Sequence, residues 1–180
     1  RDDDKELLHK AESLFFGLQH QDFYVDSEDY LWICEYPGVP SILNGFLYSI
    51  FGLFDLMTQT RSVLIRNEVE HRWYAVVHTL ERYLHLFDLE GWSKYDLVYG
   101  FPSTLFYHQV HIEQLNALFD LTGIPVFKQM SVRWQRGLHE RLLRYRMKLV
   151  KQWMLLKKYG VQGSYCRFYD FWRWKHGSST

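Results

Sequence analysis

The stretch from Ser41 to about residue 58 constrains this chain more than any other. Ile42, Leu43, Phe46, Leu47, Ile50, Phe51, Leu53 and Phe54 fall around nearly the whole circumference of a helix. A surface helix carries one apolar stripe, whereas a helix apolar all round must be surrounded. The remaining segments therefore have to pack around it. Residues 3–20 repeat Leu7, Leu8, Ala11, Leu14, Phe15 and Leu18 at three- and four-residue spacing, behind an acidic first turn that suits the helix dipole. Residues 61–87 carry Val63, Leu64, Val69, Trp73, Val76, Val77, Leu80, Leu84 and Leu86, with Gly91 as the stop. Residues 107–121 form a further helix closed by Gly123, and Pro125 opens a long one running to about 158, before Gly160 and Gly163.

Between these helices the pattern is poorer. Residues 21–40 lack clear alternation and are broken by Pro37, Gly38 and Pro40, so they read as irregular or extended. The aromatic run 92–106, with Gly100 and Pro102 inside, predicts a short extended segment near 92–99 and then a loop. Residues 164–176 are aromatic and basic without a clear period. The fold class is all-α, built from antiparallel helical hairpins with short links. It divides into a helical domain over 1–137 and a basic amphipathic helix with an aromatic tail over 138–180.

Composition narrows the function classes. At 180 residues, 47% hydrophobic and 23% charged, the chain makes one ordinary packed domain and excludes disordered, collagen-like and filament classes. Its 18% aromatic content fits a large-residue core and also the flat apolar faces on which sugar rings stack. Two cysteines, Cys34 and Cys166, give no disulfide framework. No apolar run approaches the roughly 18 residues of a membrane span. The opening Arg1-Asp-Asp-Asp-Lys is too charged for a signal peptide and lacks Met, so the chain reads as a piece of something longer.

Charge is unevenly placed. Residues 1–132 hold 9 Lys and Arg against 19 Asp and Glu, and residues 133–180 hold 12 against 2. The basic segment 133–158 carries Arg133, Arg136, Arg141, Arg144, Arg146, Lys148, Lys151, Lys157 and Lys158, with Leu138, Leu142, Leu149, Trp153 and Leu156 as an apolar stripe. Such a helix suits a membrane surface, a partner or a polyanion. Nucleic acid fits the charge alone: no recognition motif is present, and the acidic body opposes it. A homodimer is left open.

Several chemistries are missing. There is no glycine-rich phosphate loop, no cysteine pair at zinc spacing and no G-x-S-x-G elbow. His108 and His111 stand i, i+3 on one helix face without a third ligand, so neither a metal nor a cofactor is expected. Two segments do stand out. In Trp32-Ile-Cys-Glu-Tyr-Pro37 a carboxylate and a phenol sit side by side, leading into a buried helix whose polar Asn44 and small Gly45 come where apolar residues would be expected. In Tyr95-Asp-Leu97 and Tyr107-His-Gln-Val-His-Ile-Glu-Gln-Leu115, Tyr107, His111 and Gln114 share one helical stripe.

These motifs carry a resemblance. Glu35-Tyr-Pro37, Pro40, Leu43-Asn-Gly-Phe-Leu-Tyr-Ser49 and Gly52-Leu-Phe-Asp-Leu56, followed in order by Tyr95-Asp-Leu97, Tyr107-His-x-x-His-Ile-x-Gln-Leu115, Pro125-Val-Phe-Lys128 and Arg133-Trp134, resemble the C-terminal domain of the D-glucuronyl C5-epimerases. The resemblance covers about 5–137. Enzymes of that family convert D-glucuronate to L-iduronate within heparosan-type chains, a step of heparan sulfate and glycosaminoglycan biosynthesis. The resemblance implies a partial or shortened (α/α) toroid whose cleft takes an acidic polysaccharide, with no cofactor. It implies Glu35 and Tyr107 as a two-sided acid/base pair, Tyr36 and Tyr95 as their supports, and Asn44, His108 and His111 as substrate contacts. After Tyr-Asp-Leu the animal enzymes carry Arg, suited to hold the substrate carboxylate; this chain has Val98, and Lys94 nearby is the substrate-binding cation expected to substitute. An animal member would work in the Golgi lumen, a bacterial one in the cytoplasm or cell envelope. The alternative is a non-catalytic glycan-binding or assembly module on the same fold.

Overall fold

A computed structural model describes residues 2–17, 23–27, 30–36 and 41–176. In chain order the elements are α1 (Asp2–Gly17), β1 (Tyr24–Ser27), β2 (Tyr30–Ile33), α2 (Leu43–Gln59), α3 (Val63–Tyr83), a 3-10 turn (Leu84–Phe87), β3 (Asp88–Leu89), β4 (Trp92–Ser93), α4 (Leu105–Thr122), α5 (Pro125–His139) and α6 (Arg141–His176). The fold is all-α with two small antiparallel ribbons, β1 with β2 and β3 with β4.

α2 lies at the centre. Leu43, Phe46, Leu47 and Ile50 are fully buried, and Leu53 and Leu56 nearly so. α3 follows after a three-residue link and packs against α2 with Val69, Trp73, Val76 and Leu80. α5 follows α4 across Gly123 and Ile124 and packs against it in the same way. Caps set the boundaries. Ser62 Oγ accepts from the Ile65 amide at the start of α3, and Thr104 Oγ accepts from the Tyr107 amide at the start of α4. Gly123, at φ 69°, ends α4 in the left-handed conformation that glycine adopts without penalty. Pro125 stands in the first turn of α5, where a missing amide hydrogen costs nothing. α1 is attached through buried Phe15 and through Thr60, whose hydroxyl donates to Glu12 at 2.6 Å.

Within the irregular stretch expected over 21–40, residues 24–27 and 30–33 form strands. β2 pairs with β1 in the register Tyr24↔Ile33 to Ser27↔Tyr30. The Leu31 amide donates to Thr79 Oγ1 on α3 at 2.9 Å, and Trp32 stacks on Phe46 of α2 at 3.7 Å. Leu31, Trp32 and Ile33 are all buried, so the strand has no solvent face to mark by alternation.

The long helix expected from Pro125 to 158 is instead two helices. Glu140 is extended between α5 and α6, and its amide turns back to the carbonyls of Arg136 and Gly137. The break accompanies a close contact: a β-carbon on Gly137 would run into the Gly91 carbonyl. The third helix likewise ends at Tyr83, and its expected last turn is the 3-10 turn. Residues 164–176, left without a period by the sequence, continue α6. The end of the first helix at 18–20 with Leu18, the break at Pro37, Gly38 and Pro40, and the side chains of the aromatic tail with Cys166 lie outside the described residues.

Leu47→Asp tests the central position of α2. Burying an unpaired carboxylate there costs about 4 kcal/mol or more, a large part of a domain's stability. The expected outcome is loss of the cooperative melting transition by circular dichroism. A variant that melts like the parent would refute the placement.

Candidate active site

The site is assembled where β2 runs out beside the start of α2. Glu35 and Tyr36 follow β2, and the Cys34 amide is still held by the Phe23 carbonyl at 2.8 Å. Glu35 lies directly on the α2 backbone. A β-carbon at Gly45 would stand 2.5 Å from Glu35 Oε2 and 2.7 Å from Glu35 Cβ, so the carboxylate can lie there only because residue 45 is glycine. Its Oε2 is buried without a hydrogen-bond partner.

Two backbone bonds bring the second half of the site to the first. The Leu43 amide donates to the Tyr95 carbonyl at 3.1 Å, and the Leu97 amide donates to the Ser41 carbonyl at 3.2 Å. They place Tyr95 at the mouth of α2. Tyr107, in the first turn of α4, meets Tyr95 edge to face with ring centroids 5.0 Å apart. Burial pushes the Tyr95 phenol up to about 12, and the nearby charges of Glu35, Tyr107, Tyr36 and Asp96 push the same way. Glu35, Tyr36, Tyr95 and Tyr107 thus share one electrostatic neighbourhood, with Tyr95 a neutral donor at ordinary pH.

The facing side comes from α4. Gln114 Nε2 donates to the Asn44 carbonyl at 3.4 Å, joining α4 to α2. Asn44 Oδ1, Gln114 Oε1 and His111 Nε2 are buried without partners, as Glu35 Oε2 is. Ser93 Oγ stands 2.8 Å from His111 Nδ1, 2.9 Å from His108 Nδ1 and 2.7 Å from Ser103 Oγ, and Ser103 Oγ donates to the Ser93 carbonyl at 2.8 Å. Glu35 Oε2, Asn44 Oδ1 and Gln114 Oε1 are acceptors by their chemistry, and His111 Nε2 is a ring nitrogen with no partner among the described residues.

His108 is placed differently from what its spacing with His111 suggests. Its Nδ1 accepts from the Ser93 amide at 3.1 Å, its Nε2 lies 3.1 Å from the Trp134 carbonyl, and its ring stacks on Trp92 at 3.8 Å. Both nitrogens are engaged and the ring is fully buried, so His108 is part of the framework that aims α4. Lys94 is also turned elsewhere: its ammonium donates to the Leu86 carbonyl at 2.8 Å. Val98 is 56% exposed.

Sequence reasoning missed the supports. Ser93 ties both histidines to the β4 segment, yet a lone serine beside a tryptophan gives no signal. Asp88 accepts from Trp134 Nε1 at 2.9 Å and pairs with Arg133, which fixes α5 behind His108. α6 braces the segment that carries Tyr95. Leu143 and Met147 cover Trp92, burial and Asp96 act in opposite directions on the Lys151 ammonium with burial prevailing, and Lys158 lies over the rings of Tyr99 and Phe101.

Fold and site together define an all-helical domain with a carboxylate and phenols gathered at the starts of two helices. Its relatives are specific. The model of the D-glucuronyl C5-epimerase C-terminus matches residues 9–136. A D-glucuronyl C5-epimerase of Caenorhabditis elegans is 31% identical over 152 residues, an alignment covering 73% of this chain and 24% of that protein. The chain belongs to the D-glucuronyl C5-epimerase C-terminal family. It spans about a quarter of the length of that relative, and α6 lies beyond the family match.

Burial lowers His108 from 6.5 to about 4, and lowers His111 to about 3 with His108 adding to the effect. Both rings are neutral in the folded chain, whereas the unfolded chain takes up protons as pH falls through 6.5. Stability is therefore complete above about pH 6.5 and declines as pH drops towards 4. Denaturant midpoints measured across that window should fall steadily, with a shallower fall in His111→Gln. A flat wild-type profile would place both rings in water.

Proposed function

We propose that this chain is the part of a uronyl C5-epimerase that inverts D-glucuronate to L-iduronate within an acidic, heparosan-type polysaccharide. The observation that carries the reading is the convergence of Glu35, Tyr95 and Tyr107 at the starts of α2 and α4, where Gln114 joins Asn44. The C5 proton of a uronate is α to a carboxylate and very weakly acidic. Inversion needs a base on one face of that carbon and an acid on the other, both within hydrogen-bond reach. It also needs donors for the charge that gathers on the carboxyl group.

Glu35 and Tyr107 are the pair that removes the proton from one face and returns one to the other. Tyr95, held neutral by its surroundings, donates to the developing charge, and Tyr36, 55% exposed, supports the pair from the rim of the site. Asn44 and Gln114 offer amide oxygens, and His111 a ring nitrogen, to the hydroxyls of a sugar. Exchanging one proton for another is redox-neutral, so the side chains suffice for the step.

A non-catalytic glycan-binding module on the same fold is the second reading. One observation favours it: Val98 stands at the position after Tyr-Asp-Leu where the animal enzymes carry Arg, and Lys94 is bonded to Leu86.

Incubation with non-sulfated and N-sulfated heparosan in D₂O, followed by NMR, separates the two. The expected result is deuterium at C5 and the appearance of L-iduronate. Tyr107→Phe and Glu35→Gln should each lower exchange by about 100-fold or more while melting like the parent. Wild-type chain that binds the polymer without exchange would assign the binding module.

A further inference from the structure

We propose that the outward face of α6 seats the chain on an anionic lipid surface. This goes beyond the reaction assigned above and does not depend on it. In its described part α6 has two apolar faces. The inner one, Leu143 and Met147, closes on Trp92 together with Leu89 and Leu138, and accounts for how the helix is held. The outer one is formed by Leu142, Tyr145, Leu149, Trp153 and Leu156, exposed by 80%, 68%, 70%, 62% and 44%. Their spacing of three or four residues puts them on a single stripe. A helix already docked by its other side does not need this stripe to fold, and exposed apolar stripes of this kind mark interaction surfaces.

The charges around the stripe select the occupant. Residues 141–159 hold seven cations and no Asp or Glu. Arg146 pairs with Glu90, Lys151 is partly buried near Asp96 and Lys158 lies over Tyr99 and Phe101, which leaves Arg141, Arg144, Lys148 and Lys157 for a surface partner. Two of these cations fold over aromatic members of the stripe. Lys148 Nζ lies 5.8 Å from the Tyr145 ring centre and Lys157 Nζ lies 5.3 Å from that of Trp153. Leucines between aromatic rings, with ammonium groups at the rings' edge, match the layering of a bilayer surface: acyl chains, then the interfacial belt, then phosphate. A second copy of α6 would bring like charges together along its length, which disfavours it as the occupant. The acid-rich body, 9 cations against 19 acids over residues 1–132, is repelled by the same surface that attracts α6. The chain is thereby oriented with α6 towards the lipid. Among the described residues no helix is long and apolar enough to cross a membrane, so the geometry is that of a helix lying on the surface.

The test is flotation of the whole chain with two kinds of vesicle, phosphatidylcholine alone and phosphatidylcholine with about one third phosphatidylserine. The expected result is binding to the phosphatidylserine vesicles at least about tenfold stronger than to the neutral ones, weakening as salt is raised. Lys148→Gln and Lys157→Gln should each reduce binding about fivefold. The double variant Leu149→Ser, Trp153→Ser should lose binding while keeping its helicity and melting temperature, because both side chains are exposed. Equal affinity for the two vesicles, or full binding by the double variant, would overturn the proposal. So would a wild-type dimer in sedimentation that the double variant abolishes, since that result would put a second copy on the stripe.

Discussion

The burial of α2 is the constraint from which the rest of this molecule follows. A helix apolar on nearly every side is stable only inside other structure, and each neighbour is positioned by the part of α2 it covers. α3 takes one side, α4 another, and the indole of Trp32 lies flat on Phe46. The same enclosure extends to the polar first turn. Asn44 is buried there, and Gly45 leaves a gap beside it. Glu35 fills that gap. The chemistry of the site thus sits on the buried first turn of the central helix, away from the solvent stripe of Tyr48, Gly52, Asp55 and Gln59.

A second layer of support turns a set of side chains into a fixed arrangement. Ser93 gathers His108 and His111, Asp88 holds Trp134 behind them, and both lie on the short ribbon that leads into Tyr95. The Tyr95 segment is therefore tied to the start of α2 by backbone bonds and to α4, which carries Tyr107, by the serine–histidine network. Networks of this kind specify one arrangement because any partial version strands a buried polar group. α6 closes the far side of the ribbon, although it stands outside the matched family segment.

Much of this was legible in the sequence, for identifiable reasons. α2 and α4 announce themselves by period, and the end of α4 by Gly123, whereas its cap at Thr104 gave no such signal. The polar Asn44-Gly45 pair inside an apolar helix pointed to a close approach, which the Glu35 carboxylate makes. Grouping Glu35, Tyr36, Tyr95 and Tyr107 rested on family resemblance, because no local pattern links residue 35 to residue 107. The break at Glu140 was not legible: the apolar and basic spacing runs on through it, and the break belongs with a distant contact between Gly137 and Gly91. The β1–β2 hairpin was hidden because its second strand is buried on both faces. His108 and His111 look alike in a His-x-x-His pattern; only Ser93, fifteen residues before His108, separates a framework histidine from one with a nitrogen to spare.

The contact between Glu35 and Gly45 has a meaning for reading other chains of this kind. Any side chain at position 45 occupies the volume that the carboxylate now holds, so the two positions cannot vary independently. A relative that keeps the glycine but has lost the acid retains a vacated socket, the mark of a lineage that once carried the group. A relative with alanine or a larger residue there has given up the socket itself, and restoring the acid alone would not restore the arrangement. One pair of alignment columns thus sorts such chains into those that hold the carboxylate, those that could regain it by one change, and those that need two.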